Sequence, residues 1–309
     1  MAISIDDKFQ PNGNFPLVDA EHVQYEAGKS MKTAFLELQS TGGGDLPAYM
    51  YFGLEKPLVT TKKIWYKPKA SSYLPVPYPA IWFDASKLAL EPDTPIEILT
   101  NLGEKPIELI QEVEEKQPLF KVDENGKSYI EFTGTQFLLG QFAEEWSIED
   151  RSQFTIFAVA DIMTPSSTSG SAVLFGLGKY GTSSASDSRA ITFKRESREN
   201  GEYKFSVHIN NESCVVTSND SVVMNSTNII YSIYDLSSYK LYLNGVYQNE
   251  LTFNDYARPI TGMSIGRDVR DANYIAMKFR EVLIYSKKVF TEEQISKTLD
   301  YLNTKWKEV

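Results

Sequence analysis

The stretch FREVLIYSKKVFTEEQISKTLDYLNTKW, residues 279–306, changes its period part-way through. REVLIY is an apolar, β-branched run and predicts a strand. After it, Thr291 is placed as a helix N-cap. Gln294 three positions on completes a capping box, and Glu292 and Glu293 sit where the helix dipole favours acids. Ile295, Leu299, Leu302 and Trp306 recur at a spacing that puts them on one helical stripe. A strand followed by one short amphipathic helix suits a β domain whose edge or end the helix closes.

Reading back from this tail, strand-like runs recur with turn residues between them. They are AIWFDA, SYIEFTG, FTIFAVADI, SAVLFGLG, AITFKR, YKFSVHI, SCVVTS, NIIYSIYD, SYKLYLNG, GMSIGR and AMKFREVLIY. Asn244-Gly245 and Asn125-Gly126 each lie between apolar runs, a strong hairpin signal. Nothing between 150 and 285 reads as a helix. The fold class expected is mainly β, an antiparallel two-sheet sandwich or barrel over residues 80–309 with a C-terminal helix.

The first 79 residues read differently. In 1–44, Pro11, Gly13 and Pro16 break any long helix, and then Met31, Ala34, Phe35 and Leu38 line one face of a short one. Two turns of helix are unstable alone, so this stripe needs a partner, either its own domain or other copies of the chain. TGGGD at 41–45 ends it. In 45–79, AYMYFGL and KKIWYKP suggest two short strands, and the prolines from Pro75 to Pro79 suggest a stiff spacer.

Composition narrows the function classes. The net charge is −10, and residues 80–150 carry 5 basic against 16 acidic side chains. Phosphate binding needs clustered Lys and Arg, so no nucleic-acid partner is expected. The acidic block reads as solvated surface. Cys214 is the single cysteine, which excludes an intrachain disulfide and a cysteine-built zinc site. No apolar run is long enough to span a membrane as a helix, and the first residues lack the basic start and apolar core of a secretory leader. The expectation is synthesis in a reducing cytoplasm.

Two resemblances follow from these runs. AIWFDASKL, KSYIEFTGTQFLLG, FTIFAVADI, YKLYLNGVY, MSIGRD and the tail quoted above resemble, in order, the elements of laminin G-like, concanavalin A-like lectin domains found in bacterial and phage proteins. The resemblance implies a jelly-roll sandwich. Separately, DKFQPNGNFPLVDAEHVQYEAGKSM resembles the N-termini of phage head-fibre and tail-fibre proteins. It implies a small irregular and helical anchoring segment in which Phe9, Phe15, Leu17, Met31, Ala34, Phe35 and Leu38 serve attachment and trimerisation. Together the two imply a homotrimeric virion protein, bound to a capsid or tail protein at one end and adhering to host-surface glycan at the other.

Glycanases of this fold need two carboxylates flanking the sugar bond. The nearest run, Glu91 to Glu97, contains Pro92 and Pro95 and reads as a loop. His208 alternates with Tyr203, Phe205 and Val207 and reads as a strand residue; no nucleophile elbow accompanies it. GLGKYG at 176–181 matches a phosphate-loop pattern, but the residues after it do not read as a helix, so it is taken as a turn. No catalytic constellation is expected. Sugar sites combine aromatic platforms with Asp, Asn and Arg. Two loops offer this: one with Tyr180, Asp187 and Arg189, the other with Arg267, Arg270 and Tyr274. No cofactor is required. Ca²⁺ is the one ion the resemblance suggests, at Asp268 and Asp271, and two acids fall short of the six or more oxygens that calcium takes. A purely structural virion component and a polysaccharide-trimming enzyme are the alternatives.

Overall fold

A computed structural model describes residues 74–164, 170–181, 189–198, 202–210, 214–269 and 273–307, together with the backbone of two short paired strands, β1 (Gln24–Tyr25) and β2 (Lys29–Ser30). The chain divides into two compact units, Met1–Ser72 and Tyr73–Val309. The attachment residues Phe9, Phe15, Leu17, Met31, Ala34, Phe35 and Leu38 lie outside the described residues.

In the second unit the strands run, in chain order, β3 (Ile81–Asp84), β4 (Ile98–Thr100), β5 (Glu108–Ile110), β6 (Leu119–Val122), β7 (Ser128–Thr133), β8 (Leu138–Gln141), β9 (Phe154–Ile162), β10 (Ala172–Gly178) and β11 (Arg189–Ser197). Then come β12 (Tyr203–Ile209), β13 (Cys214–Thr217), β14 (Thr227–Tyr234), β15 (Ser238–Leu243), β16 (Val246–Thr252), β17 (Gly262–Ile265) and β18 (Ala276–Ser286), followed by the helix α1 (Glu292–Trp306). One sheet has the order β13-β12-β11-β10-β17-β8-β5-β4. The other has the order β16-β15-β14-β9-β18-β7-β6, with β3 also pairing β18. The strand pairings among the described residues are all antiparallel, as in the two-sheet sandwich expected.

Alternation along the strands builds the core between the sheets. Ile191, Phe193, Phe205, Val207, Ile209, Met263 and Ile265 face inward from the first sheet, and Phe132, Ile156, Ala158, Ile230, Val282 and Ile284 from the second. The Asn244-Gly245 hairpin forms as expected, with both residues at positive φ, 53° and 86°, the geometry of a tight turn matched to strand twist. Much of the acidic block is solvated, with Glu91, Glu97, Glu104, Glu108, Glu112, Glu114 and Glu115 all exposed, whereas Asp84 and Asp150 in the same block are buried. It also contains β4 and β5, which the strand reading missed because three residues with one buried position carry too little periodicity to see. Residues 74–79, expected as part of a spacer, pack on the sandwich. Leu74 and Val76 are buried, and the Tyr285 hydroxyl donates to the Val76 carbonyl at 2.8 Å.

β9 is buried at all nine positions because both its faces are covered. On its outer face a row of rings, Tyr242, Tyr231, Phe157, Phe290 and Tyr285, runs with centroid spacings of 4.4, 5.2, 5.8 and 4.5 Å. The capping box forms as read, with Thr291 accepting from Gln294 N and Gln294 returning to the Thr291 N–H. Thr298, Leu302 and Trp306 are the buried residues of α1. The helix does not close an edge. It lies over the outer face of an interior strand, β18, and the reason is a carboxylate.

Glu281 of β18 is fully buried and stands directly opposite Asp84 of β3 in register. Like charges opposite one another destabilise a sheet. Lys305 of α1 resolves the conflict, with its ammonium 2.6 Å from Asp84 Oδ2 and 2.9 Å from Glu281 Oε2. Glu281 also accepts from Trp82 Nε1 at 2.7 Å, Tyr301 Oη at 3.0 Å and Trp306 Nε1 at 2.6 Å. Burial, and then the neighbouring Asp84, raise Glu281 above the ordinary carboxylate range; Lys305 and Trp306 pull it back.

Lys305→Met should therefore cost about 3–5 kcal/mol at pH 7, the range for stranding a buried charge. Lys297→Met, which removes only an exposed helical pair with Glu293, should cost under about 0.5 kcal/mol. An acid whose proton affinity is raised by folding penalises the fold above its unfolded value, so acidification should narrow the Lys305→Met deficit. Urea midpoints at pH 7 and pH 5 check both statements, and a deficit unchanged by pH would contradict this account of the cluster.

Candidate functional site

The outer face of the first sheet is polar and buried, an unusual combination. Positions alternating with the core residues carry Thr192, Lys194 and Glu196 on β11, Ser206 and His208 on β12, and Ser264 on β17. Register aligns them into rows. Ser264, Gly176, Thr192, His208 and Val215 cross five strands side by side, and Lys194, Ser206 and Thr217 form the next row.

His208 organises this face. Its Nδ1 lies 3.3 Å from Lys194 Nζ, and its Nε2 lies 2.9 Å from Glu196 Oε1 and 3.0 Å from Ser206 Oγ. An ammonium can only donate, so Nδ1 accepts and Nε2 carries the proton toward Glu196. The hydrogen bond from His208, with help from Ser206 and against burial, pulls the Glu196 carboxyl down to about 2.

The chain leaving β17 turns at Gly266, whose φ is +88° and whose missing side chain makes room for the Phe132 ring; a Cβ there would sit 2.5 Å from it. The turn carries Arg267 and Asp268 back beside the sheet, and Ser264 Oγ donates to the Arg267 carbonyl at 2.8 Å. Arg267 stacks on Phe137, its guanidinium carbon 3.4 Å from the ring centroid, and reaches the Tyr274 hydroxyl at 3.3 Å. Asp268 forms a buried ion pair with Arg189, whose Nε donates to Asp268 Oδ2 at 2.5 Å.

The expected site residues are thus drawn into pairs. Arg189 and Asp268, assigned to separate functions by the sequence, bind each other: Asp268 is spent as a counterion and Arg189 is 4% exposed. Arg267 and Tyr274 form one stack with Phe137, which the sequence reading passed over although it lies in the FLLG run. Tyr180 stands apart, at the Gly262 end of the β10–β17 pair, where its backbone N–H donates to Thr261 Oγ1 at 2.9 Å. Its ring is the exposed aromatic here, seated against Gly262. Asp187, Arg270 and Asp271 lie outside the described residues. Among the described residues no group of three or more His, Cys, Asp or Glu is placed to hold a metal ion. Glu196 and Asp268 are each occupied by a cation or imidazole on this face. A glycosidase instead sets one carboxylate apart with its proton affinity raised. Glu91 and Glu97 lie on an exposed loop and strand entry.

Residues 145–296 match the family model Laminin_G_3, described as the concanavalin A-like lectin/glucanases superfamily. The C-terminal region therefore carries a concanavalin A-like lectin-type domain, and the two-sheet architecture agrees. No curated protein matches the chain. Among solved structures, the binding domain of botulinum neurotoxin DC in complex with SialylT is similar at a TM-score of 0.51 and 11% identity, over 75% of this chain and 52% of that one. A botulinum neurotoxin type C structure described by its interaction with two ganglioside molecules gives 0.51 and 13%, over 73% and 51%. An arabinofuranosidase complexed with arabinofuranosyl-alpha-1,2-xylobiose gives 0.51 and 8%, over 67% and 50%. The chain spans about half the length of these structures, and at such identities the likeness is one of fold.

A carboxylate held below its unfolded value of 4.5 stabilises the fold above that pH, and the contribution is lost as pH falls toward about 2. Glu196→Gln should cost at most about 3 kcal/mol at neutral pH. The difference from the unsubstituted protein should close between pH 4.5 and pH 2 in urea midpoints. A constant difference across that range would separate Glu196 from the acid sensitivity of the fold.

Proposed function

We propose that this protein is a bacteriophage virion component, a head or tail fibre or decoration protein, whose lectin-like domain adheres to carbohydrate on the host surface. The observation that carries the reading is the concanavalin A-like sandwich with an exposed ring, Tyr180, beside a polar sheet face. A flat aromatic presents an apolar platform to a sugar face, while neighbouring hydroxyls and charged groups take its hydroxyls. Arg267, just past β17, stacks on Phe137 and reaches the Tyr274 hydroxyl. The solved structures with bound saccharide named above support the choice of ligand at the level of fold. The N-terminal run supports the virion assignment and the trimer. Individual sugar sites are weak, and three heads on one particle-bound stalk gain affinity through effective concentration.

On a glycan array the full chain should bind a defined set of host-surface glycans. Tyr180→Ala should weaken that binding about tenfold, the equivalent of about 1.4 kcal/mol. Light scattering should give a trimer. An array without hits, combined with undiminished host adsorption by particles lacking the protein, would leave a structural role. Release of oligosaccharide from those glycans would make it an enzyme.

A further inference from the structure

A second polar cleft lies on the opposite side of the sandwich. It occupies the part of the second sheet's outer face that α1 leaves uncovered, beyond the C-terminal end of the helix. Its volume is about 500 Å³, within the range of small-molecule sites. Lys278 and Arg280 of β18, Asp161 of β9 and Thr227 of β14 contribute from the sheet. The Asp123–Lys127 turn, Val223, Asn225 and Ser226, and the Asn244 turn contribute from loops. Among the described residues, Val223 and Trp306 are its only apolar lining residues, so its ligand must itself be polar.

The floor is rigid. Arg280 is 4% exposed and holds two carboxylates: Nε and Nη2 reach Asp161 at 3.1 and 2.9 Å, and Nη1 and Nη2 reach Asp123 at 3.2 Å. Thr227 Oγ1 adds a 2.7 Å bond to Asp161. These groups satisfy one another, and Arg280 is fully engaged by them.

The lysines around the floor are arranged differently. Lys127 donates to the Lys307 carbonyl at 2.7 Å, Lys307 to Asn244 Oδ1 at 3.0 Å, and Lys278 lies 4.9 Å from the Tyr129 ring centroid. No carboxylate among the described residues forms an ion pair with any of the three. Burial lowers the proton affinity of Lys307, the direction an ammonium takes when it leaves water without a counterion. Lys127, Lys278 and Lys307, none of them ion-paired to a carboxylate among the described residues, line one cleft together with Glu124, in a chain whose net charge is −10. The rim also supplies amide and hydroxyl groups from Asn225, Ser226 and Asn244. We propose that this cleft binds an acidic saccharide, with the carboxylate of a sialate or uronate received by Lys278, Lys307 and Lys127 and the sugar hydroxyls by Asn225, Ser226 and Asn244. The choice of a saccharide rests on the adhesion reading above; the requirement for an anion rests on the cleft alone.

Calorimetric titration of the full chain with 3′-sialyllactose and with trigalacturonate, against lactose as neutral control, tests it. At least one acidic sugar should bind ten times or more tightly than lactose. Lys127→Ala/Lys278→Ala should lower that affinity at least tenfold without changing the urea midpoint, and 0.5 M NaCl should weaken it. Tyr180→Ala should leave it unchanged. No preference for acidic sugars, or a preference that survives the double substitution, overturns the proposal. A glycan array with Tyr180-dependent hits alongside that result would sink the cleft and leave the adhesion reading standing. Inorganic sulfate displacing the acidic sugar at equal concentration would reduce the cleft to a simple anion site and would also overturn it.

Discussion

Asp84 and Glu281 face each other across two hydrogen-bonded strands, both buried, and the sheet tolerates them because Lys305 reaches in from the helix. Two carboxylates out of water with no cation would repel and would each lack a solvent shell. With Lys305 between them, and with indole and phenol donors filling the remaining lone pairs, the cluster becomes a clamp joining β3, β18 and α1. Asp84 and Lys305 are 221 residues apart in sequence. The ring row from Tyr242 to Tyr285 lies on the same face of the same sheet, so the apolar and ionic contributions act together.

This arrangement divides the outer surfaces of the sandwich. One sheet has part of its outer face apolar and covered, with a polar cleft in the remainder. The other has an outer face on which Lys194, Glu196, Ser206 and His208 satisfy one another. Buried polar groups need such mutual satisfaction, and a network of this kind holds side chains in fixed positions. Both polar regions are therefore pre-organised surfaces, and pre-organisation reduces the ordering cost of binding a flexible, hydroxyl-rich ligand.

Much of the fold was legible in single runs of sequence, and much of the site was not. The WFDAS and KW runs were read as the first and last elements of one domain pattern. Only the structure shows that Trp82, Asp84, Lys305 and Trp306 meet around a single glutamate. Arg189 and Asp268 looked like members of two separate loops because they are 79 positions apart; the register of β10, β11 and β17 brings them together. His208 was correctly read as a strand residue, yet its partners Lys194 and Glu196 lie on the neighbouring strand, where no local period points to them.

Strand periods, the Asn-Gly hairpin, the capping box and the exposure of the glutamates from Glu91 to Glu115 follow from the sequence by itself, since each depends on neighbours within a few residues. They determine the class of fold and the limits of its helix. Which face the helix covers, which charges cancel and which lysines are left without a carboxylate were decided only by tertiary structure. Those outcomes depend on strand order and register, which bring distant positions within a few ångströms, where charges in a low-dielectric interior interact strongly.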